Sequence, residues 1–123
     1  WLRGVDGMQI FQPRRPGYEE IVLSEILDAV AVYDEMLAFR DLLDGGEPLT
    51  YDYPPVQSDA VVWSGLRLGD QAVIRAFKQG GGEAEVEIPA WPDRKITLTA
   101  PATGATYRLT RTATEVKTER LAP

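Results

Sequence analysis

Glu83-Ala84-Glu85-Val86-Glu87-Ile88 decides how the second half of the chain is read. Ala84, Val86 and Ile88 fall on one face and the three glutamates on the other. Successive side chains of a strand point to opposite faces, so strict alternation predicts a half-exposed strand of an antiparallel sheet. The turn Gln79-Gly80-Gly81-Gly82 precedes it, and the same rhythm runs outward in both directions. Upstream, Ala60 to Leu66 and Gln71 to Lys78 are expected strands joined by the turn Arg67-Leu68-Gly69-Asp70. Downstream, Pro89 to Asp93 reads as a loop, and Arg94 to Ala100 as a strand with Ile96 and Leu98 inward. Pro101-Ala102-Thr103-Gly104 then turns the chain into a strand from Ala105 to Thr110. Thr112 to Leu121 is polar, with Val116 as its best inward residue, which suits an edge strand. Strands about every 10 to 12 residues, joined by Gly- and Pro-bearing turns, describe a β-sandwich or small barrel, and a sandwich of five to six strands is the expectation. One flat sheet would leave an apolar face wet, so it must fold over itself or cover a helix.

That helix lies upstream, from Tyr18 to about Asp44. Ile26, Val30, Tyr33 and Leu37 advance by three or four, and Leu23, Leu27, Ile21, Val22, Met36, Phe39, Leu42 and Leu43 widen the apolar arc. Glu19, Glu20 and Glu25 occupy the first two turns, where the positive end of the macrodipole favours them. Gly45-Gly46 is expected to close the helix through a left-handed residue, and Pro48 to prevent a restart. Unbroken, the helix would run about 40 Å, long enough to predict a kink near Tyr33-Asp34. Its apolar arc is wider than one covering surface needs. Before it, Val5 to Phe11 reads as a short strand, ended by Pro13 and Pro16. After it, residues 47–58 read as an extended connector, with Tyr51 and Tyr53 able to pin it and Pro54-Pro55 favouring polyproline geometry. The organisation expected is therefore a βα unit over 1–46, a connector over 47–58 and an antiparallel sandwich over 59–123: mainly β with one long helix.

Composition narrows the chemistry. The 123 residues carry 13 Lys and Arg against 19 Asp and Glu, a net charge of −6. That field repels nucleic acid and anionic membrane surfaces, so neither is an expected partner. There is no Cys and no His, which excludes disulfides, thiolate and imidazole metal sites and every Ser-His-Asp arrangement. Compartment stays undecided. No cofactor and no metal is expected: any metal site would be all-oxygen, and Asp6-Gly7 and Asp44-Gly45 lack the alternating acids of a calcium loop. Gly80-Gly81-Gly82 is followed by neither Lys-Ser nor a helix, so it reads as a hairpin turn, not a phosphate cradle. A first residue Trp1 in place of Met, with no signal-like segment behind it, suggests a fragment of a longer chain.

The order of strand, prolines, long helix, connector and short strands resembles the C-terminal end of multidomain glycoside hydrolases of the α-galactosidase-like type. There a (β/α)8 barrel is followed by an antiparallel sandwich. Gly4-Val5-Asp6-Gly7-Met8-Gln9-Ile10-Phe11 is similar to a last barrel strand, and Glu25 to Gly46 to the final barrel helix. Ala60-Val61-Val62-Trp63, Gln71 to Phe77 and Ala84 to Pro89 are similar to the opening hairpins of those sandwiches, and Pro101 to Tyr107 to a turn before their last strands. The resemblance implies a non-catalytic accessory role, because the catalytic carboxylates of such enzymes sit on barrel strands that this chain lacks. It also implies that Asp6, Gln9 and Gln12 lie towards a barrel mouth, where ligand contacts gather.

A site for sugar could otherwise rest on an exposed aromatic, which offers its face to the C–H side of a ring. Trp91, in the expected loop between Pro89 and Pro92, is the best such candidate, although capping one end of the sandwich is the favoured reading for it. Glu83, Glu85 and Glu87 read as a solvated face, not a catalytic pair. Three readings follow. In the first, the chain is an accessory region whose helix is covered by the sheet on one side and by the rest of a catalytic barrel on the other. In the second, it is a stand-alone carbohydrate- or protein-binding sandwich using Trp91. In the third, it is a small homodimer in which a second copy pairs through the long helix. The first expects an apolar strip along Ile26, Val30 and Leu37 that one sheet does not cover.

Overall fold

A computed structural model of the protein describes residues 1–4, 16–52 and 59–121. A long helical segment comes first, and antiparallel strands follow. Helix α1 spans Glu19–Met36, a single 3-10 turn covers Leu37–Phe39, and α2 runs over Arg40–Gly45. The strands are β1 (Glu47–Pro48), β2 (Val61–Leu68), β3 (Gln71–Lys78), β4 (Glu83–Trp91), β5 (Arg94–Pro101), β6 (Ala105–Arg111) and β7 (Val116–Leu121). The fold is mainly β with one long helix, as the patterning predicts.

Five strands pair in the order β1-β2-β3-β6-β7, and β4 and β5 form a separate two-stranded sheet. The β4–β5 hairpin leaves the main sheet after β3, crosses one face, and returns the chain as β6 beside β3, where Ile74 pairs with Tyr107. Alternation decides what it covers. Ala72 and Ile74 of β3 and Ala105, Tyr107 and Leu109 of β6 point to the hairpin side, where they meet Ile88, Ala90, Trp91 and Leu98. The Tyr107 hydroxyl donates to the Thr99 carbonyl at 2.7 Å, so its polar end is satisfied inside that layer. Opposite-facing residues, Leu66 of β2 and Val73 of β3, form a second core with Leu2, Met36, Phe39 and Leu42. The main sheet therefore does both things open to it: a hairpin covers one face and the end of the helical segment the other.

Gly65, opposite Ile74 in the β2–β3 ladder, is tightly enclosed. A Cβ there would lie 2.5 Å from Ile74 Cδ1 and 2.9 Å from both Leu49 Cδ1 and the Val73 carbonyl oxygen. Nothing larger than glycine fits without moving the sheet.

Several expectations are corrected. The helix breaks at Leu37–Phe39, later than Tyr33-Asp34, because Phe39 turns into the second core at 4% exposure with the Arg108 guanidinium 5.1 Å above its ring. It does not close through a left-handed residue. Gly46 is extended (φ −78°, ψ 159°), and its amide donates to the Leu42 carbonyl at 2.9 Å. Glycine is required there by approach: a Cβ would sit 2.3 Å from the Leu42 oxygen. The connector begins as structure, with Glu47 and Pro48 opposite Arg67 and Leu66 and the Leu49 amide bonded to the Gly65 carbonyl. Proline is tolerated there because β1 is an edge strand. The expected strand Val5–Phe11 and the connector from Tyr53 through Ser58 lie outside the described residues.

Candidate interaction surface

Helix α1 carries the candidate surface. From Pro16 to Glu35 no residue is buried, and Met36 is the first side chain to enter a core. The half-covered positions before it, Val22 and Ala29, precede Met36 by fourteen and seven residues, so one narrow line of the helix faces inward. Beside that line, Leu23, Ile26, Val30, Tyr33 and Leu37 are 57, 41, 49, 47 and 43% exposed. Their spacing of three, four, three and four is the a/d repeat of a helix that packs against another helix. Leu27, 57% exposed, widens the strip on the side away from the sheet. The expected uncovered strip along Ile26, Val30 and Leu37 is therefore present.

Its lower end is anchored. Trp1 meets Tyr33 edge-on, with ring centroids 5.7 Å apart at 61°. Arg3 donates through Nε to Ser64 Oγ at 2.7 Å, through Nη2 to the Trp63 carbonyl at 2.8 Å, and through Nη1 to the Asp52 carbonyl. One guanidinium thus ties the first residues to β2 and to the segment after β1. Between the last turns of α1 and strands β2 and β3 lies a mostly apolar pocket of about 270 Å3, bordered by Trp1, Val32, Met36, Val62 and Phe77, with Glu35 and Arg75 at its polar edge.

The charge on α1 is one-sided. Glu19, Glu20, Glu25, Asp28, Asp34 and Glu35 are its charged residues, and no Lys or Arg occurs between Pro16 and Phe39. At the N-terminus Glu19 is well placed: its Oε2 accepts from the Gly17 amide at 2.9 Å, and Tyr18 supplies no side-chain cap. Arg40, the first cation after the helix, pairs with Asp44 at 3.7 Å on an open surface.

Trp91 is corrected from loop to strand, and its burial agrees with the capping role favoured for it. It is the last residue of β4, 2% exposed, with its indole N–H donating to the Gly69 carbonyl at 2.8 Å. The Arg111 guanidinium lies 5.2 Å over its ring and bonds Asp70 Oδ1 at 3.1 Å and Asp93 Oδ1 at 3.0 Å. No ring face is left for a sugar. Trp63 is half-buried against the hairpin-side core, and Tyr51 is 80% exposed. Asp6, Gln9 and Gln12 lie outside the described residues. Glu83, Glu85 and Glu87 face solvent, and Glu87 pairs with Lys95 at 3.0 Å. Among the described residues no three carboxylates are grouped to hold a metal, no polar or charged side chain is buried, and no helix is long and apolar enough to cross a membrane. The sequence signal for the surface was present as helical spacing. What spacing alone does not give is which part of a wide apolar arc the sheet takes.

Comparison with protein-family models, with curated proteins and with solved structures found no match for this chain.

Proposed function

We propose that this chain is a non-catalytic accessory module that uses α1 to join a larger protein assembly, the sandwich serving as its rigid base. In the reading suggested by the glycoside hydrolase resemblance, that assembly is a carbohydrate-active enzyme and the covering surface is its catalytic body. One observation carries the proposal: a helical segment that leaves Leu23, Ile26, Val30, Tyr33 and Leu37 all more than two-fifths exposed. A helix of this length gains most of its stability from packing an apolar face, and contiguous exposed apolar surface marks sites of association. The chain carries neither His nor Cys, which removes the commonest general base and the thiolate nucleophile.

The test is thermal. Ile26→Gln/Val30→Gln replaces two strip residues by a better helix former. If the strip serves an absent partner, the isolated chain keeps its melting temperature within about 2 °C, since surface changes usually fall within ~0.5 kcal/mol. Leu109→Ala, in the core, lowers it by several times as much. A large drop for the double variant would mean that these residues already hold the domain together, and the proposal would fail.

A further inference from the structure

We infer that the partner element seated on α1 is a single amphipathic α-helix of a partner protein, apolar at its own a and d positions and flanked by Lys and Arg. The inference rests on the accessory reading above and names the chemistry of the surface that covers the strip.

Shape points to a helix. Leu23, Ile26, Val30, Tyr33 and Leu37 follow one another at heptad spacing over about 21 Å. Such a seam accepts knobs from one facing helix, while Ile21 and Val32, also exposed, lie across the inward line from it and stay outside that contact. Room for it exists. At 100° per residue the seam lies roughly 80° round the helix from the inward line of Val22, Ala29 and Met36, so a second helix can lie alongside without displacing the sheet. Tyr33, in the middle of the seam, is already held edge-on by Trp1.

Charge selects the occupant. In this register Glu20 and Asp34 occupy the positions flanking the seam on its free side, Leu27 lies between them, and Glu19 extends the seam at its start. A second copy running antiparallel would bring Glu20 and Asp34 of each chain together, with no cation on α1 to pair them. Running parallel, it would set Asp34 against the copy's Ala29, on the line that already faces its own domain, again with no cation to pair it. An anionic bilayer is disfavoured on the same grounds. Lys or Arg at the flanking positions of the partner satisfies both acids. The seam is short, so the interface falls below about 1,200 Å2 in total and belongs with transient associations, in the micromolar range.

The test titrates three labelled 21-residue peptides with the whole chain, followed by fluorescence anisotropy. One has Ile at a, Leu at d and Lys or Arg at e and g, and the second has Glu at e and g. The third has the first peptide's composition in an order without the repeat. The basic heptad peptide is expected to bind with a micromolar Kd, the acidic one at least tenfold more weakly, and the scrambled one no better than the acidic one. Ile26→Gln/Val30→Gln should weaken the basic peptide at least tenfold. Asp34→Lys should weaken it severalfold and improve the acidic one. Equal binding of the basic and scrambled peptides, equal binding of the basic and acidic ones, or none by any peptide overturns the inference. So does a mass twice 13.6 kDa in light scattering that the double variant halves, because the occupant is then a second copy. If the peptides fail while the double variant keeps its melting temperature, this inference falls and the accessory reading stands. If the double variant melts early, the accessory reading falls first.

Discussion

Arg111 lies with its guanidinium 5.2 Å over the Trp91 ring while bonding Asp70 and Asp93, so one side chain closes the end of the sandwich where β4 meets β6. The cation covers the aromatic face that a sugar would have needed. Arg111→Ala is expected to cost about 1 kcal/mol, since a partly buried cation–π contact is worth ~1 kcal/mol and each exposed ion pair less. Chemical denaturation reads this as a lower midpoint with an unchanged slope. Asp70→Asn or Asp93→Asn alone should cost less than half as much, because each removes one of two carboxylates.

Trp91 itself tests the sugar-binding alternative. Its indole is enclosed and its N–H bonded, so titration with oligosaccharides should leave its fluorescence unchanged. Trp91→Phe should destabilise the chain by roughly 2 kcal/mol, from lost ring volume and an unpaired Gly69 carbonyl. A saturable spectral shift with sugar, lost in Trp91→Phe, would restore the alternative.

Gly65 provides a packing test that separates side chain from backbone. Gly65→Ala should cost about 2–3 kcal/mol, because the new methyl meets Ile74 Cδ1, Leu49 Cδ1 and the Val73 oxygen. Ile74→Val removes the nearest of these atoms. The double variant Gly65→Ala/Ile74→Val should therefore be less destabilised than the two single effects added, with the remainder assigned to Leu49 and Val73. Strict additivity in calorimetry would show that the clash is relieved elsewhere.

Much of this fold is written in side-chain period, and the parts that are not have physical reasons. Gln71 to Lys78 has the same bounds in sequence and structure, because tight turns delimit it at both ends. At Glu83 the alternation gives the strand, but β4 runs on through Pro89 to Trp91. It can do so because the β4–β5 ladder is irregular between Ile88 and Trp91, where a residue without an N–H breaks no bond. That extension is what carries Trp91 from an expected loop into the core. Placing β6 beside β3 is a long-range choice, made by burying Ile74 and Tyr107 under the hairpin, and no local pattern encodes it. On α1 the period shows an apolar arc, but only packing shows that the sheet takes Met36 and leaves Val30.

Hydrogen exchange should order these elements. Amides of α1 from Leu23 to Tyr33 are held by local helix bonds with little tertiary cover, so they should exchange through local opening well before those of β3 and β6. Binding of a basic heptad peptide should slow this set selectively. Equal protection of α1 and β3 in the free chain would mean that the helix opens only when the whole domain does.

Two adjacent side chains give the sharpest form of the same contrast. Met36 is 6% exposed and packs with Leu2, Phe39, Leu42, Leu66 and Val73, whereas Leu37 is 43% exposed on the seam. Both lose comparable apolar volume on truncation, so burial alone separates their costs. Met36→Ala should lose about 2–4 kcal/mol through the cavity it leaves, while Leu37→Ala should stay within ~0.5 kcal/mol in the free chain. The order inverts for association: Leu37→Ala weakens capture of the basic heptad peptide, and Met36→Ala, wherever the domain remains folded, does not. If Leu37→Ala proved as destabilising as Met36→Ala in urea titrations of the free chain, α1 would already have a covering surface, and the seam could not be a site left open for a partner.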